Sequence, residues 1–181
     1  LTYARTIQSA ILPSEEYLKA LIPESFLVYK PLHKVSGDLP FVKQVGDRIY
    51  VAAIDCTGHG VPAAMMTFIA YYGLSGLLES TPEASCGTLL DRLHEHVGRS
   101  MEGRAEEGLI NDGMDVGLCC IDLRNGTVAF AGAQLPLIHV RGGESNRIKG
   151  DVLPLGDRQF ERKGGYKDHA LKLLPGDSIY L

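Results

Sequence analysis

The chain has 181 residues, a formal net charge of −4, 45% hydrophobic and 22% charged residues. That size and balance describe one soluble globular domain with enough apolar residues for a sizeable core. The acidic balance argues against a nucleic-acid binder, which shows a basic face. No uninterrupted apolar run reaches the ~18 residues of a membrane span, and the polar residues through Leu1–Ile11 argue against a signal peptide. With no initiator Met, an excised fragment is expected, for which an anchor could lie upstream. Cys56, Cys86, Cys119 and Cys120 show no C-x-x-C spacing. They are expected to be reduced thiols of a cytoplasmic protein, with the wrong spacing for zinc.

In chain order, Tyr3–Leu12 has helical spacing, with Ala4, Ile7 and Ile11 on one face, and Pro13 ends it. Ser14–Glu24 adds a short helix before Pro23. Phe26–Leu32 reads as a strand. Phe41–Val45 and Arg48–Ile54 read as a hairpin closed by Gly46-Asp47, with glycine first as a type II′ turn requires. Pro40 places Asp38 at a strand end or edge, because proline cannot donate to a ladder. Val61–Leu78 is a long helix, apolar nearly all round and so expected to be largely buried. Ser80 or Thr81 is expected to cap a second helix with Pro82 and Glu83 in its first turn. Leu89, Leu90, Leu93, Val97 and Met101 line one side of it. Gly103–Gly113 reads as a surface loop. Short strands follow at Met114–Leu123, Val128–Ala131, Leu137–Arg141, His169–Leu174 and Ser178–Leu181. They are separated by Asn125-Gly126 (a type I′ signal), Gly142-Gly143 and Pro175-Gly176-Asp177. Strands, then two helices, then successive hairpins make an α+β pattern with largely antiparallel sheets.

The stretch Val51–Ala64, VAAIDCTGHGVPAA, carries the strongest chemical signal. A strand delivers Asp55 into a glycine turn, and Pro62 sits in the first turn of the helix beyond, where its missing N–H is not needed. Asp38, in Val35-Ser36-Gly37-Asp38, is a second acid beside a glycine. Oxygen ligands of this kind suit Mg²⁺ or Mn²⁺, although either acid alone fits a turn or cap equally well. His59, in the same glycine turn, fits a general acid or a loop residue without a role. Asp112 and Asp115 flank Gly113-Met114, and Asp115 opens a strand facing either a cleft or solvent. No P-loop, G-x-S-x-G or H-E-x-x-H element is present.

Together these segments resemble the SpoIIE-type branch of the metal-dependent, protein phosphatase 2C-like (PPM) phosphatases. The resemblance rests on Ala4–Gln8 with Leu12-Pro13, Val35–Asp38 and, most specifically, Ile54–Ala64. It continues in Phe130–Leu137, Leu153–Gly156 and Gly176–Leu181. It implies an αββα sandwich of two mainly antiparallel sheets flanked by helices, and hydrolysis of phosphoserine or phosphothreonine at a two-metal (Mn²⁺ or Mg²⁺) site. Asp55 would bridge the metals with the backbone carbonyl of Cys56 assisting, and Asp38 would hold one metal and its waters. Leu39-Pro40-Phe41 departs from the family, which often has aromatics and a further acid there. The family also places two more aspartates beyond the point matching Leu181. A C-terminally truncated phosphatase domain over 14–181, preceded by a signalling or linker helix over 1–13, is therefore expected, with weak metal binding and little activity by itself. The implied partners are a phosphorylated STAS-like anti-sigma-factor antagonist and an upstream sensor or dimerising segment acting through Leu1–Leu12, with a homodimer plausible. The alternatives are a non-catalytic pseudophosphatase that holds a partner, and a phosphohydrolase acting on a small molecule.

Overall fold

The computed structural model describes residues 2–101, 113–156 and 164–181. Its helices are α1 (Thr2–Ser9), α2 (Glu15–Leu21), α3 (Val61–Ser80) and α4 (Cys86–Ser100). The strands are β1 (Asp38–Val45), β2 (Arg48–Cys56), β3 (Met114–Asp122), β4 (Thr127–Ala133), β5 (Leu137–Arg141), β6 (Glu144–Ile148), β7 (His169–Lys172) and β8 (Ser178–Tyr180). They form two antiparallel sheets, one of five strands in the order β1-β2-β3-β4-β7 and one of three in the order β6-β5-β8. This is the α+β sandwich expected from the sequence.

Strand alternation divides the large sheet into two apolar faces. On one face Leu39, Phe41, Ala52, Ile54, Val116 and Leu118 pack with Leu74, Leu78, Leu89, Leu90, Leu93 and Val97 of α3 and α4. On the other, Ile49, Cys119, Ile121, Val128 and Phe130 meet Leu137, Ile148 and Ile179 of the small sheet. Cys119 and Cys120 do point opposite ways, Cys119 into the inter-sheet core and Cys120 toward the helices. None of the four cysteines is in a disulfide, and burial pushes Cys86, Cys119 and Cys120 up from their ordinary value, the reverse of a reactive thiolate.

Several expectations are corrected. Phe26–Leu32 is not a strand: it is irregular, no described strand lies beside it, and Phe26, Val28 and Leu32 are exposed. In α1 the buried residue is Gln8, whereas Ile7 is exposed and Ile11 is buried beyond the helix end. The cap of α4 is Ser85, whose side chain accepts from Thr88 N–H, and Pro82-Glu83 fall in the preceding turn. The β3–β4 connection is not a two-residue type I′ turn. Asp122 pairs Thr127 across a longer loop, where the Asp122 carboxylate accepts from Arg124 N–H and Asn125 N–H and only Gly126 has positive φ. β7 and β8 are not a hairpin, since β7 joins β4 and β8 joins β5 in the other sheet. Helix α3 has the length and mean hydropathy (1.4) of a membrane span, but half of it is buried against α4 and the large sheet. Val61, Met65 and Tyr72 remain exposed. Gly46 does supply the positive φ (59°) of the β1–β2 turn, and β1, carrying Pro40, is an edge strand with Asp38 as its first residue.

Candidate active site

The site follows from register across the large sheet. On the face toward the small sheet, one cross-strand row is Val42–Val51–Cys119–Phe130, apolar and filling the space between the sheets. The next row is Pro40–Ala53–Gly117–Gly132, all small or ring-constrained. The last is Asp38–Asp55–Asp115, an acid on each of three adjacent strands. The sequence therefore runs from bulk to no bulk to charge as the sheets reach their open end. Directly opposed residues in an antiparallel pair share a face with Cβ atoms about 5 Å apart, so Asp55 is the direct neighbour of both Asp38 and Asp115. Partial burial, and then the charges of Asp38 and Asp115, push the Asp55 carboxyl above its ordinary value. Burial does the same to Asp115.

Backbone contacts lock this end. Cys56 N–H donates to Gly37 O (3.0 Å), and a Cβ on residue 37 would stand 2.7 Å from Cys56 O, so glycine is required for the two loops to touch. Thr57 donates to Gly113 O through both N–H (3.0 Å) and hydroxyl (2.8 Å). Met114 and Leu155 exchange two hydrogen bonds of 2.8 Å. Ser36 Oγ donates to Asp38 Oδ2 (3.0 Å) and accepts from Asp38 N–H (3.1 Å), orienting that carboxylate. Ser36 is itself held from α1: Gln8 Nε2 donates to Ser36 O (2.6 Å) and Ser36 N–H donates to Gln8 Oε1 (3.0 Å). Gln8 Nε2 also donates to Thr67 Oγ1 of α3 (3.2 Å).

Of the residues singled out from sequence, Asp38, Asp55 and the carbonyl-bearing Cys56 are brought together. His59 lies on the turn between Gly58 (φ 91°) and Gly60 (φ 74°), exposed and in ring contact with His33. Asp112 lies outside the described residues. Asp115, left open by sequence, joins the row; only the pairing of β3 with β2, across two intervening helices, reveals it. Gln8 and Ser36 fell inside the motif segments Ala4–Gln8 and Val35–Asp38, but the contact between them was missed, because hydrophobic periodicity is blind to a buried polar clamp.

The donor set is entirely oxygen, which fits a hard divalent cation and not a thiolate-seeking metal. A row of aligned carboxylates with two pushed toward the protonated form also calls for added positive charge. Among the described residues no three His, Cys, Asp or Glu side chains surround a common point. The row would thus bind cations along an open edge, completed by carbonyl and water oxygens.

The Stage II sporulation protein E (SpoIIE) family model matches residues 45–181. The SiaA-PP2C domain of Pseudomonas aeruginosa is 32% identical with a TM-score of 0.84, over 98% of this chain and 68% of that one. RsbX in complex with magnesium shares the fold at 16% identity (TM-score 0.60, 85% of this chain and 69% of that one). So does the PP2C phosphatase domain with a regulatory-domain fragment of SpoIIE from Bacillus subtilis, at 20% identity (TM-score 0.61, 79% and 40%). No curated protein sequence matches the chain. With its motif segment, its sheet register and a family match over most of its length in agreement, the chain belongs to the SpoIIE family of PP2C-type protein phosphatases.

Proposed function

We propose that this domain hydrolyses phosphoserine or phosphothreonine on a small regulatory protein of the STAS-like, anti-sigma-factor-antagonist kind, using two Mn²⁺ or Mg²⁺ ions held along the carboxylate row. The observation that carries this reading is the direct alignment of Asp38 with Asp55 across β1 and β2, beside the Cys56 carbonyl. When bound, the cations supply a more acidic water and offset charge on the phosphoryl oxygens. Asp55, central in the row, would be the residue shared by the two ions, with the Cys56 carbonyl one residue on assisting and the Cys56 thiol turned into the core. Asp38 would hold one ion, with Ser36 Oγ fixing the orientation of its carboxylate by donating to Oδ2. In the row behind, Pro40–Ala53–Gly117–Gly132, the glycines let the chain pack closely beneath the acids: a Cβ on Gly132 would run into Leu135 O, and one on Gly117 would stand 3.1 Å from Leu181.

The same reading assigns α1 as the input from an upstream sensor or dimerising segment. α1 reaches the site through one buried residue, Gln8, so a displacement of α1 is transmitted to Ser36 and on to Asp38. The test is Mn²⁺-dependent release of phosphate from a phosphoserine-bearing STAS protein by the wild-type domain and by Asp55→Asn. Metal-dependent turnover that falls by orders of magnitude in the variant is the expected result. Equal turnover in both, or wild-type turnover of free nucleotides but of no phosphoprotein, would overturn the reading.

A further inference from the structure

We propose that β6 is a docking edge: an extended segment of a basic partner protein adds to it as a further strand and sets a lysine or arginine side chain in the pocket beneath, against Glu144. β6 is the outermost strand of the small sheet, and no described segment pairs with its free edge. It pairs with β5 at all five of its positions, so it carries no bulge, and it has neither proline nor lysine. Those are devices that keep an edge from accepting another strand. The other sheet edges have them or are short: β1 carries Pro40 and Lys43, β7 carries Lys172, and β8 has three residues. Glu144, Ser145, Asn146 and Arg147 are all exposed, so β6 is open on both faces.

Strand alternation puts Glu144 and Asn146 on the face that takes Ile148 into the inter-sheet core, directly opposite Arg141 and His139 of β5. A pocket of about 260 Å³ lies there, lined by His139, Arg141, Glu144, Ser145 and Asn146. Its two strands differ in charge. Arg141 is spent on Asp177, which it meets through Nε and Nη2 and whose side chain is 2% exposed. His139 turns to the same carboxylate. Glu144 and Asn146 make no side-chain hydrogen bond or ion pair among the described residues. The uncompensated charge of the pocket is therefore the Glu144 carboxylate. A segment laid along β6 alternates its side chains as β6 does, so those set against Glu144 and Asn146 point over the pocket. Main-chain bonds then hold the segment, and the Glu144 charge disfavours an arbitrary strand while favouring one that brings a cation. The net charge of −4 likewise favours a basic partner over a second copy of this chain. The hairpin is fixed before any partner arrives, because Arg141 also donates to Lys172 O of β7. Lys172 pairs Thr127, Thr127 pairs Asp122, and Asp122 pairs Arg48. Arg48 and Asp55 stand at opposite ends of β2, roughly 20 Å apart at ~3.3 Å per residue. The docking edge is thus remote from the acid row, and a partner held there leaves that row open.

The experiment uses the whole protein, ¹⁵N-labelled, titrated with short capped peptides of alternating threonine and valine that carry arginine, glutamine or glutamate at the centre. The arginine peptide is expected to shift the Glu144–Ile148 amides along one saturation curve and to slow their exchange. It should bind about tenfold more tightly than the glutamine peptide, the size of one hydrogen bond to a charged group, and the glutamate peptide should bind least. Glu144→Gln, an exposed and isosteric change, should erase the arginine preference and leave the glutamine peptide and Mn²⁺ affinity unchanged. N-methylation of alternate peptide nitrogens should abolish binding in one phase and spare it in the other, as strand pairing requires. Peptides that leave the β6 amides unmoved overturn the proposal, and so does an arginine preference that survives in Glu144→Gln. Free arginine binding as tightly as its peptide would make the pocket a small-molecule site. Shifts in β6 that depend on protein concentration alone would make the edge a contact between copies. Either result overturns the docking of a basic partner.

Discussion

Replacing Gln8 with alanine tests how the site is held. Gln8 is 3% exposed and is the one buried residue of α1. Its amide group satisfies both backbone groups of Ser36, which is itself buried, and touches Thr67. The truncation strands a buried N–H and a buried C=O. At roughly 1–3 kcal/mol for each unsatisfied group, with water entering from the exposed side of α1, the cost is about 2–4 kcal/mol. Little else offsets it within α1. An eight-residue helix is well below the ~12 residues at which an isolated helix becomes marginal in water, and its Tyr3 and Ile7 face solvent. The expected outcome is local: α1 detaches, Ser36 and Asp38 loosen, and the two-sheet core persists. Hydrogen exchange should show loss of protection at the Ser36 amide and through α1, with the β2 and β3 amides still protected, and Mn²⁺ affinity should fall. Unchanged Ser36 protection together with unchanged metal affinity would refute the idea that Gln8 couples α1 to the acid row. A uniform loss of protection across β2 and β3 would refute the claim that the coupling is local.

Three further outcomes follow from the same geometry. Asp55 has a raised carboxyl in the folded chain, so without metal its contribution is present in acid and lost as pH rises through and just above the ordinary carboxylate range. Metal-free Asp55→Asn should therefore be more stable than wild type at neutral pH by about 1 kcal/mol, from two opposed like-charge pairs, and excess Mn²⁺ should reverse the order in calorimetric melts. Gly37→Ala places a methyl 2.7 Å from Cys56 O and should cost about 1–3 kcal/mol. It should also lower metal affinity, which titration calorimetry would measure, whereas Gly46→Ala, with nothing near its Cβ, should leave that affinity alone. Asp177 accepts from Arg141 Nη2 (2.7 Å), Arg141 Nε (3.0 Å) and Leu174 N–H (2.9 Å), and pairs with His139 Nε2 (3.1 Å). Those bonds, Arg141's first, hold its carboxyl well below the usual range. Its contribution is present above the ordinary carboxylate range and lost as pH falls, so exchange protection in β5 and β8 should drop on acidification in wild type and be low at all pH in Asp177→Asn.

How much of this was legible depends on whether the determinant was local. Val51–Ala64 was readable because strand, turn and helix start are each written in adjacent residues: small and β-branched residues, then two glycines with positive φ, then Pro62. The Gly46 turn was readable for the same reason. Phe26–Leu32 misled because strand propensity is realised only beside a partner strand, and no described strand lies beside it. Pro175-Gly176-Asp177 looks like a hairpin turn but carries the chain from the large sheet to the small one. The cause is remote, since Arg141 on β5 grips Asp177 and also donates to Lys172 O, the last residue of β7. The start of α4 was misplaced because Thr81 and Ser85 are both competent caps, and Asp168, from far along the chain, selects Ser85 by accepting from its hydroxyl and from Gly87 N–H.

The carboxylate row shows the same limit at the place that matters most. Each acid alone reads as a turn or strand-end residue, and nothing near Asp55 in sequence announces that Asp115 will lie beside it. Opposed like charges are what cross-strand pairing avoids, and here the fold sets three acids side by side, with Gly132 behind them packed against Leu135 O and Gly117 against Leu181. A fold optimised for stability alone would have exchanged one of those acids for lysine or arginine. That none is so exchanged, while Ser36, Gly37 and the Met114–Leu155 bonds all act to keep the row in place, means the repulsion is retained against the interest of the free fold. Under the proposed function that repulsion is relieved by bound cations, and this makes the register of β1, β2 and β3 a stronger functional signal than any one aspartate in it.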